Sequence, residues 1–513
     1  MIELFLLLIF TLVLCRFLQI WLKHRFNPIP SYPFNIRKDK NAEDLAKSLE
    51  KGELPKIFRP EFFPFSSVLI SNFYVITDFQ FMKDAFSRKE LSNRITSEKS
   101  KIDAGRNNKF YKLDKIALEV LGPDDQLIKN GEQRLVGLSD GLYDDLHKKF
   151  RNMWYETSKN LAGRNKIMEI IQTSSESVNK MLFERGSGEK GMNPKSVFVN
   201  GTMNVITGFA FGTVFEPNNP TFKMLEEQLI IIFDDIVPIL LKKSISGKLP
   251  LWISQSSIYQ KIWKKKMDEH YAAMAKIYRF VFENVVKHRA TLDPSNPRDY
   301  LDMMLIEADS EPRIGWDSIG GTALIIYAAA SDTLANHLTW LCSLLSDHSE
   351  VQERMHAEIV SCLESEGEIK KEKCPFTRSV LLENMRLNPV ADIIPHQASE
   401  DVLVDGLLIK KGSTLYASLT AMMADPVSFP DPSKFIPDRF YKNGEFLNDM
   451  RVCSFSIGLR NCIGKQIAVE EYFIFATNII REFRLIRTAG NMDIAEHVSM
   501  RMPKLTKVRF EKR

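Results

Sequence analysis

Apolar residues recur at i, i+3, i+4 and i+7 along most of this chain, the spacing that gives a helix one buried face. The pattern predicts helices at residues 220–241, 261–288, 316–346, 351–363, 376–387 and 463–483. Strand signals are fewer and shorter: residues 67–76, 401–409 and 414–418 are expected to be strands, with a Lys411-Gly412 turn between the last two. The expected fold class is mainly α, a large helical α+β body with small β-sheets. Residues 34–513 carry no repeat and no Gly/Ser linker, so they read as a single domain. Within it, FPDPSKFIPDRF at 429–440 has three prolines and little periodicity, which predicts an irregular coil that other residues must hold.

The N-terminal stretch follows another rule. Residues 2–22, IELFLLLIFTLVLCRFLQIWL, approach the roughly 20 apolar residues a helix needs to span a bilayer, and predict one transmembrane anchor. A cleaved signal peptide fits less well, because Glu3 stands where a basic n-region belongs and no small-residue cleavage site follows Trp21. Arg16 lies near the far end, where its side chain can snorkel. Lys23, His24 and Arg25 place the rest of the chain on the cytosolic side. Residues 23–33 form a basic, proline-rich linker stiffened by Pro28, Pro30 and Pro33.

Composition narrows the picture. With 513 residues, 44% hydrophobic and 26% charged, the chain is expected to be globular rather than disordered. Its 69 Lys and Arg against 65 Asp and Glu, a net +4, argue against nucleic acid as a partner. Six widely spaced cysteines point to a reducing compartment rather than a disulfide framework.

One cysteine stands out. FSIGLRNCIG at 455–464 precedes the last helical pattern, so Cys462 lies at a helix start. Unpaired amides and the positive end of the helix dipole are expected to hold such a thiol as thiolate, a soft ligand for iron. Gly458 and Gly464 permit close backbone approach to a flat ligand, Arg460 supplies a cation, and Phe455 can shield the sulfur. These five residues at fixed spacing arise by chance on the order of 10⁻⁴ per chain. The segment resembles the haem-binding signature of the cytochrome P-450 family. The resemblance implies haem b as cofactor, with Cys462 as axial ligand to the iron. It also makes Arg460 a haem-propionate ligand.

Other segments extend the resemblance. Glu383 and Arg386 share one helix face and resemble the family's Glu-x-x-Arg pair, which implies a structural triad with Arg439 of the following coil. His396 stands where the family places a propionate ligand. Ala329-Ala330-Ser331-Asp332-Thr333 resembles the family's oxygen-side helix, with Asp332 and Thr333 as proton-relay residues. Three departures accompany these matches. Ala330 replaces a glycine, Asp144 replaces the tryptophan of the family's Trp-x-x-x-Arg helix, and Lys148 replaces its arginine as a propionate partner.

Residues 288–300 resemble a loop of the animal microsomal branch. The implied function is a monooxygenase of the endoplasmic reticulum membrane, oxidising a lipophilic small molecule with O2. No Gly-x-Gly-x-x-Gly follows a strand, so NADPH electrons are expected from a flavoprotein reductase, with cytochrome b5 as a second candidate donor. Arg451, Lys465, Lys148, Lys149 and Arg151 form the expected docking patch, and membrane lipid is a further partner. Apolar residues at 229–233 and 237–241 are expected to roof the substrate or to dip into lipid. A reductase-independent isomerase or dehydratase remains open, as does a non-turning-over haem sensor or carrier, suggested by Ala330, Asp144 and Gln397.

Overall fold

The computed structural model describes residues 31–33, 56–61, 73–94, 113–130, 143–163, 165–216, 219–232, 257–490, 494–495, 501–503 and 506–513. The expected anchor at 2–22, most of the linker, and residues 67–72 and 233–241 lie outside the described residues. Among the described residues no helix is long and apolar enough to cross a membrane.

The helices used below are α1 (Phe79–Ser87), α2 (Asp145–Gly163), α3 (Lys166–Gly186), α4 (Lys195–Phe211), α5 (Ser257–Arg289), α6 (Tyr300–Ser310), α7 (Trp316–Asp347), α8 (Ser349–Glu366), α9 (Pro375–Leu387) and α10 (Lys465–Glu482). Helix α7 is the axis of the fold. Its residues from Leu334 to Leu345 are buried on every side, the signature of a helix enclosed by others. It packs against α4, α5, α9 and α10. A side-chain bond crosses the first of these contacts, where the Thr202 hydroxyl donates to the Ser331 carbonyl at 2.8 Å.

A five-stranded sheet stands beside the helices, in the order β1 (Ser31–Pro33), β2 (Ile57–Glu61), β3 (Phe73–Ile76), β7 (Thr414–Ser418), β4 (Ile393–Gln397). The sequence pattern misses β4 because Pro395 interrupts it. As an edge strand it tolerates a residue without an amide hydrogen, and Pro395 pairs opposite Tyr416. Residues 401–409 are a hairpin rather than one strand. β5 (Val402–Val404) and β6 (Leu407–Ile409) pair across Asp405 and Gly406, whose φ angles of 46° and 75° belong to a two-residue hairpin turn. Lys411-Gly412 is a turn as expected, with Gly412 at φ 79°, and β7 beyond it pairs with β3 and β4 rather than with β6.

The predicted coil is held as a charged network demands. Arg386 on α9 donates to Glu383 through Nε at 2.7 Å and Nη2 at 2.9 Å, and both side chains are almost fully buried. Arg439 Nε reaches the same carboxylate at 3.2 Å. The remaining donors grip the coil itself. Arg386 Nη1 donates to the Met423 and Pro432 carbonyls at 2.9 Å each, and Arg439 Nη2 to that of Asp431 at 2.6 Å. Glu383 also accepts the Ile436 amide at 2.9 Å. Without the carboxylate, two arginines lose their countercharge in the core. Glu383→Gln is expected to lower unfolding free energy by about 3–5 kcal/mol in urea titration.

Candidate functional site

The cysteine loop is locked before α10 begins. Gly458 has φ 79°, and a Cβ there would collide with the Phe86 carbonyl oxygen of α1, so glycine alone fits. The Cys462 amide donates to the Phe455 carbonyl at 2.8 Å, closing the loop. The Ser454 hydroxyl donates to the Met385 carbonyl at 2.9 Å, which fastens the loop to α9 between Glu383 and Arg386.

Of the five free cysteines among the described residues, four are buried and Cys462 alone is exposed. The surrounding protein still desolvates its sulfur. Burial pushes the thiol above its ordinary pKa, against the amides of Gly464 and Lys465 and the charges of Arg151 and Lys465. This corrects the expectation from the helix end: dipole and amides oppose the burial without overcoming it. A bound cation is what would keep Cys462 ionised.

A rim of cations lies beside this loop. Arg460 and His396 are buried, as expected for groups sheltered from water. His396 stacks on Phe86 at 3.7 Å, and its Nδ1 donates to the Leu91 carbonyl at 2.5 Å. Its Nε2 is buried without a partner, and burial with the charges of Arg94 and Arg460 holds its pKa far below the ordinary value. Arg94 Nη2 donates to the Arg460 carbonyl at 3.4 Å, and its Nη1 to that of Pro395.

Helix α2 contributes differently from the sequence expectation. Lys148 is exposed, with its ammonium 5.3 Å from the centre of the Tyr143 ring. The inward residue is His147, fully buried with neither ring nitrogen partnered. Burial and the charges of Arg460, Arg151 and Arg94 push its pKa down to about 3. Asp144, in the tryptophan's place, caps α2 by accepting the His147 amide at 3.0 Å. Arg151 secures the cysteine loop, donating to the Asn461 carbonyl at 3.0 Å and to its side chain at 2.7 Å. Sequence reasoning missed Arg94 and His147, and gave Arg151 to the docking patch rather than to the cysteine loop. Arg94 carries no motif, and the lysine beside His147 is the better match to the family's spacing.

On α7, Gly321, Ile325, Ala329 and Thr333 form a partly open strip at four-residue spacing, widened by Leu324 and Ala330, while the other residues from Trp316 to Leu345 are buried. The Thr333 hydroxyl donates to the Ala329 carbonyl at 2.8 Å. Asp332 is buried, and Lys195 of α4 meets its Oδ1 at 3.1 Å while Asn336 donates to Oδ2 at 2.7 Å. Its carboxylate is therefore engaged with α4 and α7 side chains. The expected docking patch is partly neutralised: Lys149 pairs with Glu307 at 2.6 Å, and Arg451 with Asp449 at 2.6 Å.

The residues fit a flat, dianionic, metal-bearing group. An exposed cysteine, a glycine cradle, and a rim of two arginines with buried, unpartnered histidine nitrogens supply ligand, space and countercharge. Fold and site thus define a helical protein built to hold a porphyrin by a thiolate. The cytochrome P450 family profile matches residues 126–510, and the chain belongs to that family, with haem b as its cofactor. It is 27% identical over 337 residues to mouse cytochrome P450 2J5, covering 63% of this chain and 64% of that protein. Human cytochrome P450 2J2 is 26% identical over 333 residues, covering 63% of this chain and 64% of that protein. The alignments span just under two thirds of the length of these relatives. A zebrafish cytochrome P450 solved with progesterone shares the fold, at TM-score 0.70 and 19% identity, covering 92% of this chain and 99% of that one.

The rim makes a pH prediction. In the haem-free chain His147 stays neutral down to about pH 3, while the unfolded chain takes up that proton near pH 6.5. Stability should fall as pH drops through this interval, because the unfolded state binds the extra proton. His147→Asn is expected to reduce the slope by up to about 1.4 kcal/mol per pH unit, read from urea titrations at several pH values.

Proposed function

We propose that this protein is a haem-thiolate monooxygenase that inserts one oxygen atom of O2 into a lipophilic small molecule. The observation that carries the reading is Cys462, held in a locked loop as the one exposed cysteine among the described residues, beside a cationic rim. Haem bound through this thiolate supplies oxygen activation, since the sulfur pushes electron density toward O–O cleavage. Cys462 holds the iron. Arg460, Arg94, His147 and His396 carry the propionates, whose negative charge relieves the mutual repulsion of the rim. Phe455, Gly458 and Gly464 shape the face that meets the porphyrin.

Helix α7 lies on the oxygen side. The Thr333 hydroxyl donates to Ala329 and keeps its lone pairs for water or oxygen, so it orders a proton donor at the open strip. Asp332 supplies protons only after exchanging its bonds to Lys195 and Asn336, which makes it a gated donor. Electrons come from NADPH through a separate reductase, for which Lys148 and Lys465 leave exposed charge at the surface. The chain is a single-pass protein of the endoplasmic reticulum membrane, with its catalytic domain on the cytosolic side, by the reading of residues 2–25.

The test is turnover in a reconstituted system of protein, reductase, NADPH and a panel of lipophilic compounds. The expected outcome is NADPH consumption that rises with substrate and yields oxygenated product. Thr333→Ala should lower kcat about tenfold to a hundredfold, with substrate affinity unchanged. Product formation without NADPH consumption contradicts the monooxygenase reading.

A further inference from the structure

The two buried histidines of the rim are not equivalent, because only one of them has its proton position fixed. His396 lies on β4 opposite Leu415 of β7, and its ring stacks on Phe86 of α1 with 3° between the planes. Its Nδ1 is 2.5 Å from the carbonyl oxygen of Leu91, in the 3-10 turn Lys89–Leu91 that follows α1. A carbonyl only accepts, so Nδ1 carries the hydrogen. In the neutral ring Nε2 is then a bare lone pair, and Nε2 is the nitrogen that is buried without a partner. Stacking and complete burial hold the ring in this orientation. His147 is under no such constraint. Neither of its nitrogens has a partner, so the neutral ring can place its hydrogen on either one and still donate.

This difference matters for the group the rim is suited to hold. A carboxylate accepts hydrogen bonds and donates none, so the lone pair of a neutral His396 repels it. One proton has to enter between the two. Arg94 and Arg460 supply the charges that act on His396, and both are cations. Beside them a carboxyl stays ionised, which leaves Nε2 as the seat of the proton. Phe86 of α1, Leu91 of the turn and Leu415 of β7, the neighbours from the other elements, carry no charge. Without the carboxylate, burial and the same two arginines keep the ring neutral.

We propose that His396 holds haem only as an imidazolium, taking up one proton at Nε2 when the cofactor's carboxylate arrives, so that the grip on haem loosens as pH rises. The sign follows from linkage: the haem-bound chain carries one more proton at this residue than the haem-free chain, so lower pH favours binding. His147 donates in its neutral form and exchanges no proton. The proposal rests on the haem-thiolate reading for the identity of the anion, while the fixed hydrogen on Nδ1 rests on the Leu91 contact.

The experiment is haem transfer from the ferric, full-length protein in detergent to excess apomyoglobin, followed by absorbance between pH 6 and pH 9. Wild-type haem loss is expected to accelerate at least about tenfold toward pH 9, as loss of a hydrogen bond to a charged group predicts. His396→Gln keeps an N–H donor that needs no added proton, and should remove this acceleration. His147→Gln should speed haem loss at every pH and leave the acceleration in place. Wild-type loss that does not quicken between pH 7 and pH 9 overturns the proposal, and that arm needs no variant to fold. A wild-type pH profile retained in His396→Gln, or abolished in His147→Gln, overturns it as well. Loss independent of pH from a protein with the thiolate spectrum removes the His396 proposal and leaves the haem-thiolate reading. His396-dependent acceleration in a protein without that spectrum does the reverse.

Discussion

Glu383 is a buried carboxylate, and the coil before the cysteine loop is arranged around its neutralisation. Two arginines provide the charge, and their spare donors take the carbonyls of the coil between Met423 and Lys434. A coil with so many prolines has few amide hydrogens with which to organise itself, so the order comes from side chains. The same helix then holds the cysteine loop through Ser454 and Met385. The position of Cys462 is thus a consequence of a buried ion network one layer away. Such a network adds little net stability over an apolar core of equal volume, but it admits one arrangement of its members.

The cationic rim illustrates the opposite economy. His147, His396, Arg94 and Arg460 come from a helix, an edge strand, a loop and a short 3-10 turn, and each arginine makes ionisation of both histidines less favourable. Left alone, this collection opposes folding. A bound group with two carboxylates turns the repulsion into attraction, so haem binding and the stability of the rim are linked. Cys462 shows the same logic at the iron: burial disfavours the thiolate until a cation pairs with it.

Much of this was legible in the residues. The cysteine loop, the Glu383 and Arg386 pair and Arg439 announce themselves because their roles demand fixed identities at fixed spacing, and the long helices because burial imposes a period. β4 was hidden by Pro395, whose meaning depends on lying at a sheet edge. The hairpin was overlooked although Asp405-Gly406 is a strong turn signal. Arg94 meets Arg460 across 366 positions, a pairing that no local pattern reports. At α2, the aligned lysine turns outward and the adjacent histidine inward, since one helical step rotates a side chain by about 100°.

The central claim is that Cys462 ligates haem iron as a thiolate. Its most direct test is the visible spectrum of the purified protein, reduced with dithionite under carbon monoxide. A Soret band shifted far to the red, and absent in Cys462→Ser, is the predicted result. A band at the position typical of histidine-ligated haem, or a red-shifted band that survives in Cys462→Ser, would contradict it.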